Sequence, residues 1–160
     1  MNKNVAIFCI IVAVSVLPVL THNAYATSNT ITDSSSCQTL GGSWNSNNNT
    51  CSILNLTINK GDELDLGSHI TLKVNGTLNN EGIIGGTVFN GVGGSISNYG
   101  TITNSGAIYI PSGTIISNSG TINNNGVIGS SIASLTFSYC SYGAINNNSD
   151  GVLNNNSGGV

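Results

Sequence analysis

Residues 100–106 read Gly100-Thr101-Ile102-Thr103-Asn104-Ser105-Gly106, and the phrase recurs at Gly94-Ser95-Ile96-Ser97-Asn98-Tyr99-Gly100 and Gly120-Thr121-Ile122-Asn123-Asn124-Asn125-Gly126. In Thr101-Ile102-Thr103 the two hydroxyls fall on one side of an extended chain and the isoleucine on the other, the period-two pattern of a half-buried strand. The glycine that closes each phrase has no Cβ and reaches positive φ without strain, so it suits a corner. A strand this short cannot bury its aliphatic side alone, and its copies must stack.

The unit also starts at Gly76, with looser copies at Gly113 and Gly143. Its aliphatic residues fall into three sets at intervals of about 18 to 20 residues: Leu78, Ile96 and Ile115; Ile84, Ile102 and Ile122; Val88, Ile108 and Ile128. The spacing predicts an all-β chain wound as a three-sided parallel β-helix (β-solenoid) of either hand, with these residues filling a narrow interior. Asn80, Asn98 and Asn118 align in the same way, as do Asn104 and Asn124. Stacked amides about 4.8 Å apart would form hydrogen-bonded ladders, with about half of these asparagines turned inward. Asparagine is also a plain turn former, which needs no ladder.

Three alternating stretches, Ile53–Ile58, Glu63–Leu66 and Ile70–Val74, precede the regular phrases and read as strands of an irregular first coil. Ahead of them, Cys37 and Cys51 bracket a short, turn-rich loop, and in an oxidising compartment they are expected to form a disulfide. Three free thiols, or a bridge from Cys140 to one of the pair, are the alternatives; burial as a small apolar residue suits Cys140 best.

An oxidising compartment is what the N-terminus implies. Lys3 precedes an apolar run from Val5 to Leu20, followed by a polar Thr21-His22-Asn23 and the small-x-small triplet Ala24-Tyr25-Ala26. These are the parts of a secretory signal cleaved after Ala26. A retained membrane anchor is the competing reading, but Pro18 interrupts the run, which falls short of the ~20 residues a spanning helix needs. Cys9 lies inside the run rather than after it, which disfavours a lipid anchor there. The expected organisation is a signal peptide at 1–26, an exported linker with the disulfide loop at 27–52, a capping first coil at 53–75 and solenoid repeats at 76–160. The repeats stop at Val160 without a closing element, as in a fragment of a longer protein or a rod that associates end to end.

Charged side chains make up only 6% of the chain, against roughly 25% in ordinary soluble domains. The basic residues are Lys3, Lys60 and Lys73, with no arginine, so the electrostatic footprint that phosphate backbones require is missing and nucleic acid is excluded as a partner. Anionic membrane surfaces are disfavoured for the same reason.

The phrases from Gly76 to Gly126 resemble the passenger repeats of secreted β-helix adhesins of the filamentous-haemagglutinin and autotransporter kind. The signal segment, the Cys37 to Trp44 motif and the run from Leu56 to Gly82 also resemble exported proteins of ammonia-oxidising archaea. The resemblance implies display outside the cell or on its surface, in an adhesive or structural role with glycans or neighbouring proteins as partners, without a cofactor.

Parallel β-helices also host polysaccharide lyases and hydrolases, whose grooves gather several carboxylates with lysine or arginine. Here the acidic cluster is Asp62, Glu63 and Asp65, and His69 is the one histidine after the signal, so no catalytic residues are assigned. Glu63 and Asp65, alternate on one strand, form a weak candidate site for Ca²⁺, weighed against a charged edge that blunts strand pairing. Thr77, Ser95 and Thr114 in one outward row, with Thr101 and Thr121 in another, leave ice binding as a further alternative. Asn48, Asn55, Asn75, Asn147 and Asn155 begin Asn-x-Ser/Thr triplets and are glycosylation candidates on an exported chain.

Overall fold

The structure, a computed structural model, describes residues 27–85, 93–110, 113–129 and 143–160. The expected signal segment, Cys9, Val88 and Cys140 lie outside the described residues. Among those described, no helix is long and apolar enough to cross a membrane.

The chain starts with β1 (Ser28–Ile31), a short helix α1 (Ser34–Thr39) and β2 (Ser43–Asn45). Asp33 caps α1 with a capping box: its carboxylate accepts the Ser36 N–H at 2.9 Å, and the Ser36 hydroxyl accepts the Asp33 N–H. Those bonds, the Ser36 N–H first, hold the Asp33 carboxyl below its ordinary pKa. The helix ends through Gly41, whose φ of 73° is the left-handed stop typical of a helix C-terminus. It delivers Cys37 to Cys51, and the two form a fully buried disulfide with Cα atoms 5.6 Å apart and a separation of 14 positions in sequence. At Gly42 a Cβ would fall within 3.0 Å of both sulfurs, so the glycine leaves the bridge its room. Replacing Cys37 and Cys51 together with serine is expected to cost about 3 kcal/mol by releasing that loop in the unfolded chain. A urea-denaturation midpoint equal to that of the intact chain would count against it.

The solenoid follows. Its first rung is β3 (Thr50–Ile58) with β4 (Glu63–Leu66), and its second is β5 (Thr71–Asn80) with β6 (Ile83–Ile84). The third rung comprises β7 (Ser95–Asn98), β8 (Thr101–Asn104) and β9 (Ala107–Tyr109), and the fourth β10 (Ile115–Asn118), β11 (Thr121–Asn124) and β12 (Val127–Gly129). β13 (Ala144–Asn147) and β14 (Val152–Asn155) form the last. Every pairing between rungs is parallel, and β2 alone runs antiparallel, against the start of β3. The strands stack into three faces. The first half of β3 lies under the first half of β5, then β7, β10 and β13; the second halves lie under β8, β11 and β14; and β1, β4, β6, β9 and β12 make the third face.

The three-sided parallel solenoid read from the sequence is therefore present, but two of its columns are reassigned. Leu78 stacks on Ile102 and Ile122, and Ile96 stacks between Leu72 and Ile116. Ile84 belongs to the third face with Ile108 and Ile128. Ile115, expected inside, is 40% exposed, and its neighbour Ile116 takes the core position. The strand has one more residue after Gly113 than its copies, so counting from the glycine misplaces the phase by one. Two of the coils are also longer than about 18 to 20 residues, and one matches that length: equivalent asparagines on the second face lie 24, 20 and 31 apart. In sequence, most of the added residues fall between Gly85 and Gly93 and between Gly129 and Gly143, with two more between Asn147 and Val152, and the described strands stay in step.

Candidate functional site

Two features repeat at every rung and define what the molecule can present: an interior line of amides at the corners and an exterior lattice of hydroxyls and amides on the second face.

Leu78, Ile96, Ile102, Ile116 and Ile122 each precede an inward asparagine by two residues, as Ile102 precedes Asn104, so both point to the same side of the strand. Asn80, Asn98, Asn104, Asn118 and Asn124 are all buried. Asn80 Nδ2 donates to Asn104 Oδ1 at 2.7 Å, Asn104 to Asn124 at 2.7 Å and Asn124 to Asn155 at 2.8 Å. A second ladder runs from Asn98 to Asn118 to Asn147, each step 2.7 Å. The ladders exist as expected, but Asn80 belongs with Asn104 and not with Asn98, over which Val74 sits. Each amide also donates to a corner carbonyl, as Asn104 does to Val127 O at 3.0 Å, so the ladder satisfies turn groups that water does not reach. All the side-chain donors point toward the C-terminal rung. At the other end Asn80 Oδ1 is buried above Ile58 and has no hydrogen-bond partner among the described residues.

On the second face the outward residues align in two rows. Asn55, Thr77, Thr101, Thr121 and Val152 form one, and Thr57, Asn79, Thr103, Asn123 and Asn154 the other. Neither row contains a charge. Thr77 thus joins Thr101 and Thr121, whereas the expected row of Thr77, Ser95 and Thr114 does not form: Ser95 lies on the first face and Thr114 is buried. On the first face the outward row is Ser52, Lys73, Ser97, Ser117 and Asn146, and the Lys73 ammonium lies 4.8 Å from the ring centroid of the exposed Tyr99. Sequence spacing alone gave no hint of this cation–π contact.

The acidic cluster is dispersed. Glu63 and Asp65 share the outer side of β4, opposite the buried Leu64 and Leu66, while Asp62 lies in the preceding turn. Among the described residues no group of three His, Cys, Asp or Glu side chains is placed to hold a metal ion, although Asp65 Oδ1 is itself buried without a partner. His69 stands in a tight turn with φ 63°, where Ile70 N–H donates to Gly67 O, and Lys73 lies on a different face from Glu63 and Asp65. The sequons also separate. Asn48, Asn55 and Asn75 are exposed, whereas Asn147 and Asn155 use Nδ2, the atom a glycan would occupy, to bond Gly151 O at 2.7 Å and Gly159 O at 2.8 Å.

Compared with protein-family models, with curated proteins and with solved structures, the chain matches none.

Proposed function

We propose that this chain is a non-catalytic, exported structural or adhesive rod of the cell surface or its surroundings, making many weak contacts with glycans or neighbouring proteins. The observation that carries this reading is the second face, where uncharged hydroxyl and amide groups repeat in register from rung to rung. Such a lattice suits a partner that is itself a repeating polar polymer. Each contact is small, and binding strength comes from number. The buried Cys37–Cys51 bridge, the signal-like N-terminus and the likeness of the Gly76–Gly126 phrases to adhesin passenger repeats support display outside the cell.

Beads densely coated with the protein are expected to retain a recognised polysaccharide roughly 100-fold more tightly than the protein binds it singly in solution. Thr101→Lys, in the middle of the outer row, should erase most of that gain. Equal binding by coated beads and free protein would sink the adhesive reading. Release of unsaturated or reducing ends from acidic polysaccharides would establish instead the lyase or hydrolase alternative.

One observation favours a second reading. Thr77, Thr101 and Thr121 stand in register at the spacing of stacked strands, about 4.8 Å, with Asn79, Thr103 and Asn123 two residues further along each strand. A flat, regular array of this kind can order water, and ice binding is tested by thermal hysteresis of the purified chain.

A further inference from the structure

The first described residue, Thr27, is held at both of its ends by one turn and the strand that follows it. Its backbone nitrogen donates to Asp62 Oδ1 at 2.9 Å, and its carbonyl accepts the Glu63 N–H at 2.8 Å. The turn is itself built for this. Gly61 takes φ 92°, Asp62 N–H donates to Asn59 O at 2.9 Å, and the Asn59 amide donates to Asp62 Oδ2 at 3.1 Å, which aims Oδ1 at Thr27. The next rung fixes the turn from above, with Ile83 N–H donating to Asp62 O at 3.0 Å. Beyond Thr27, β1 continues as a parallel partner of β4 from Ser28↔Glu63 to Ile31↔Leu66.

A carboxylate held on a backbone nitrogen 35 residues away is an unusual use of one of six acidic residues in so uncharged a chain. The sequence before it reads Ala24-Tyr25-Ala26, the small-x-small triplet at which a signal peptidase cuts. We infer that Asp62 is the receptor for the mature N-terminus: cleavage of the Ala26–Thr27 bond leaves a Thr27 ammonium seated on the Asp62 carboxylate. This rests on the export reading above. In the step, water adds across the peptide bond, the Ala26 carboxylate departs with the leader, and the former Thr27 amide nitrogen becomes a protonated amine. A hydrogen bond from a neutral amide to the carboxylate is thereby exchanged for an ion pair at the same atoms. Removal of the leader tightens the first strand of the third face onto its neighbour.

The pair has a defined pH window. The ammonium, stabilised by Asp62, has its pKa raised above the ordinary ~7.7–8.0 of a chain terminus, so its contribution is present below that value and lost as pH rises through the folded pKa. The Asp62 carboxyl is held below its ordinary value, by the Thr27 N–H first and the Asn59 amide second, and its contribution is lost as pH falls through that lowered value. The other charged groups around the site are Lys60 in the same turn, Glu63 on β4, and Glu81 in the turn of the next rung, which stacks on Ile58 and Asp62.

The full 160-residue chain should be produced in an exporting host and its product sequenced from the N-terminus, with Thr27 the expected first residue. Its α-ammonium, followed by NMR, should titrate above the ordinary range, and in Asp62→Asn it should return to about 8. Nα-acetylation should lower the thermal midpoint at pH 6.5 by about 2 °C, the small effect of an exposed pair, and should make no difference above pH 10 or in Asp62→Asn. A product that keeps its leader, or starts elsewhere, overturns the cleavage site and with it the export reading. A product that begins at Thr27 but shows an ordinary amine in both proteins leaves export standing and overturns the role of Asp62.

Discussion

Asn104→Leu is expected to be among the most destabilising single substitutions in this chain, at about 4 kcal/mol. The two side chains share the same branched outline, leucine being the larger by its methyl groups, so the loss is chiefly polar with some overpacking added. Asn104 is fully buried, accepts the Asn80 amide, and donates to Asn124 Oδ1 and to Val127 O. With leucine there, Asn80 keeps its bond to Ala107 O and Asn124 Oδ1 keeps that from the Gly126 N–H. One Asn80 N–H is left buried without a partner, at roughly 1–3 kcal/mol, and the partly buried Val127 O loses the Asn104 amide. Chemical denaturation of the variant beside the parent chain measures this directly. A midpoint within error of the parent would show that the ladder contributes nothing net. The outward Asn123→Leu is the comparison: Asn123 lies partly exposed on the same strand and accepts only the Asn154 amide, so its loss should stay small.

Gly100→Ala is expected to cost about 3 kcal/mol or to prevent folding, the upper range for forcing atoms into a packed site. The reason is not backbone conformation, since Gly100 is not among the glycines with positive φ. Its corner sits directly on the corner of the rung below, and a Cβ would come within 3.0 Å of the carbonyl oxygen, carbon and nitrogen of Gly76. Backbone atoms cannot rotate away as a side chain can. The same clash recurs up the stack, with Gly120 over Gly100. Gly129, with nothing among the described residues within 4 Å of its would-be Cβ, is the control, and Gly129→Ala should leave the thermal midpoint almost unchanged. Comparable losses at both positions would mean that general backbone entropy, rather than close stacking, sets the penalty.

How much of this was legible in the phrases themselves depends on what each residue contacts. The short strands, the inward aliphatics, the three-sided stack and the Cys37–Cys51 bridge follow from local pattern. The order of stacking does not. Because the phrase is six residues long and nearly identical each time, Asn80 matches Asn98, eighteen residues on, as well as it matches its actual partner Asn104, 24 residues on. A slip of one whole phrase keeps every side chain on its proper side, so hydrophobic pattern cannot detect it. The longer interval arises between Ile84 and Ile96, which stand 12 apart where Ile108 and Ile116 on the same two faces stand 8 apart. Ile115 failed differently: the reliable anchor of the phase is the asparagine two residues after the buried aliphatic, which picks Ile116 through Asn118. The corner glycines were foreseen for flexibility and are needed for closeness, a property of the neighbouring rung that the local sequence does not contain. The Asp62–Thr27 contact spans 35 residues and leaves no periodic trace.

The one-way run of the amides gives the rod a grammatical direction. The step from Asn80 through Asn104 and Asn124 to Asn155 is donor to acceptor throughout, and it begins on top of Ile58, whose side chain can neither donate nor accept. Within the buried ladder each rung offers its amide donors to the next, and among the described residues only the exposed Asn148, Asn154 and Asn156 donate back to the rung before. Winding from the disulfide-locked end lays each rung's buried donors toward the acceptors of the rung that follows. A chain delivered through a pore with its N-terminus first emerges in the order in which its rungs can be laid down, and the growing stack would act as a ratchet against backsliding.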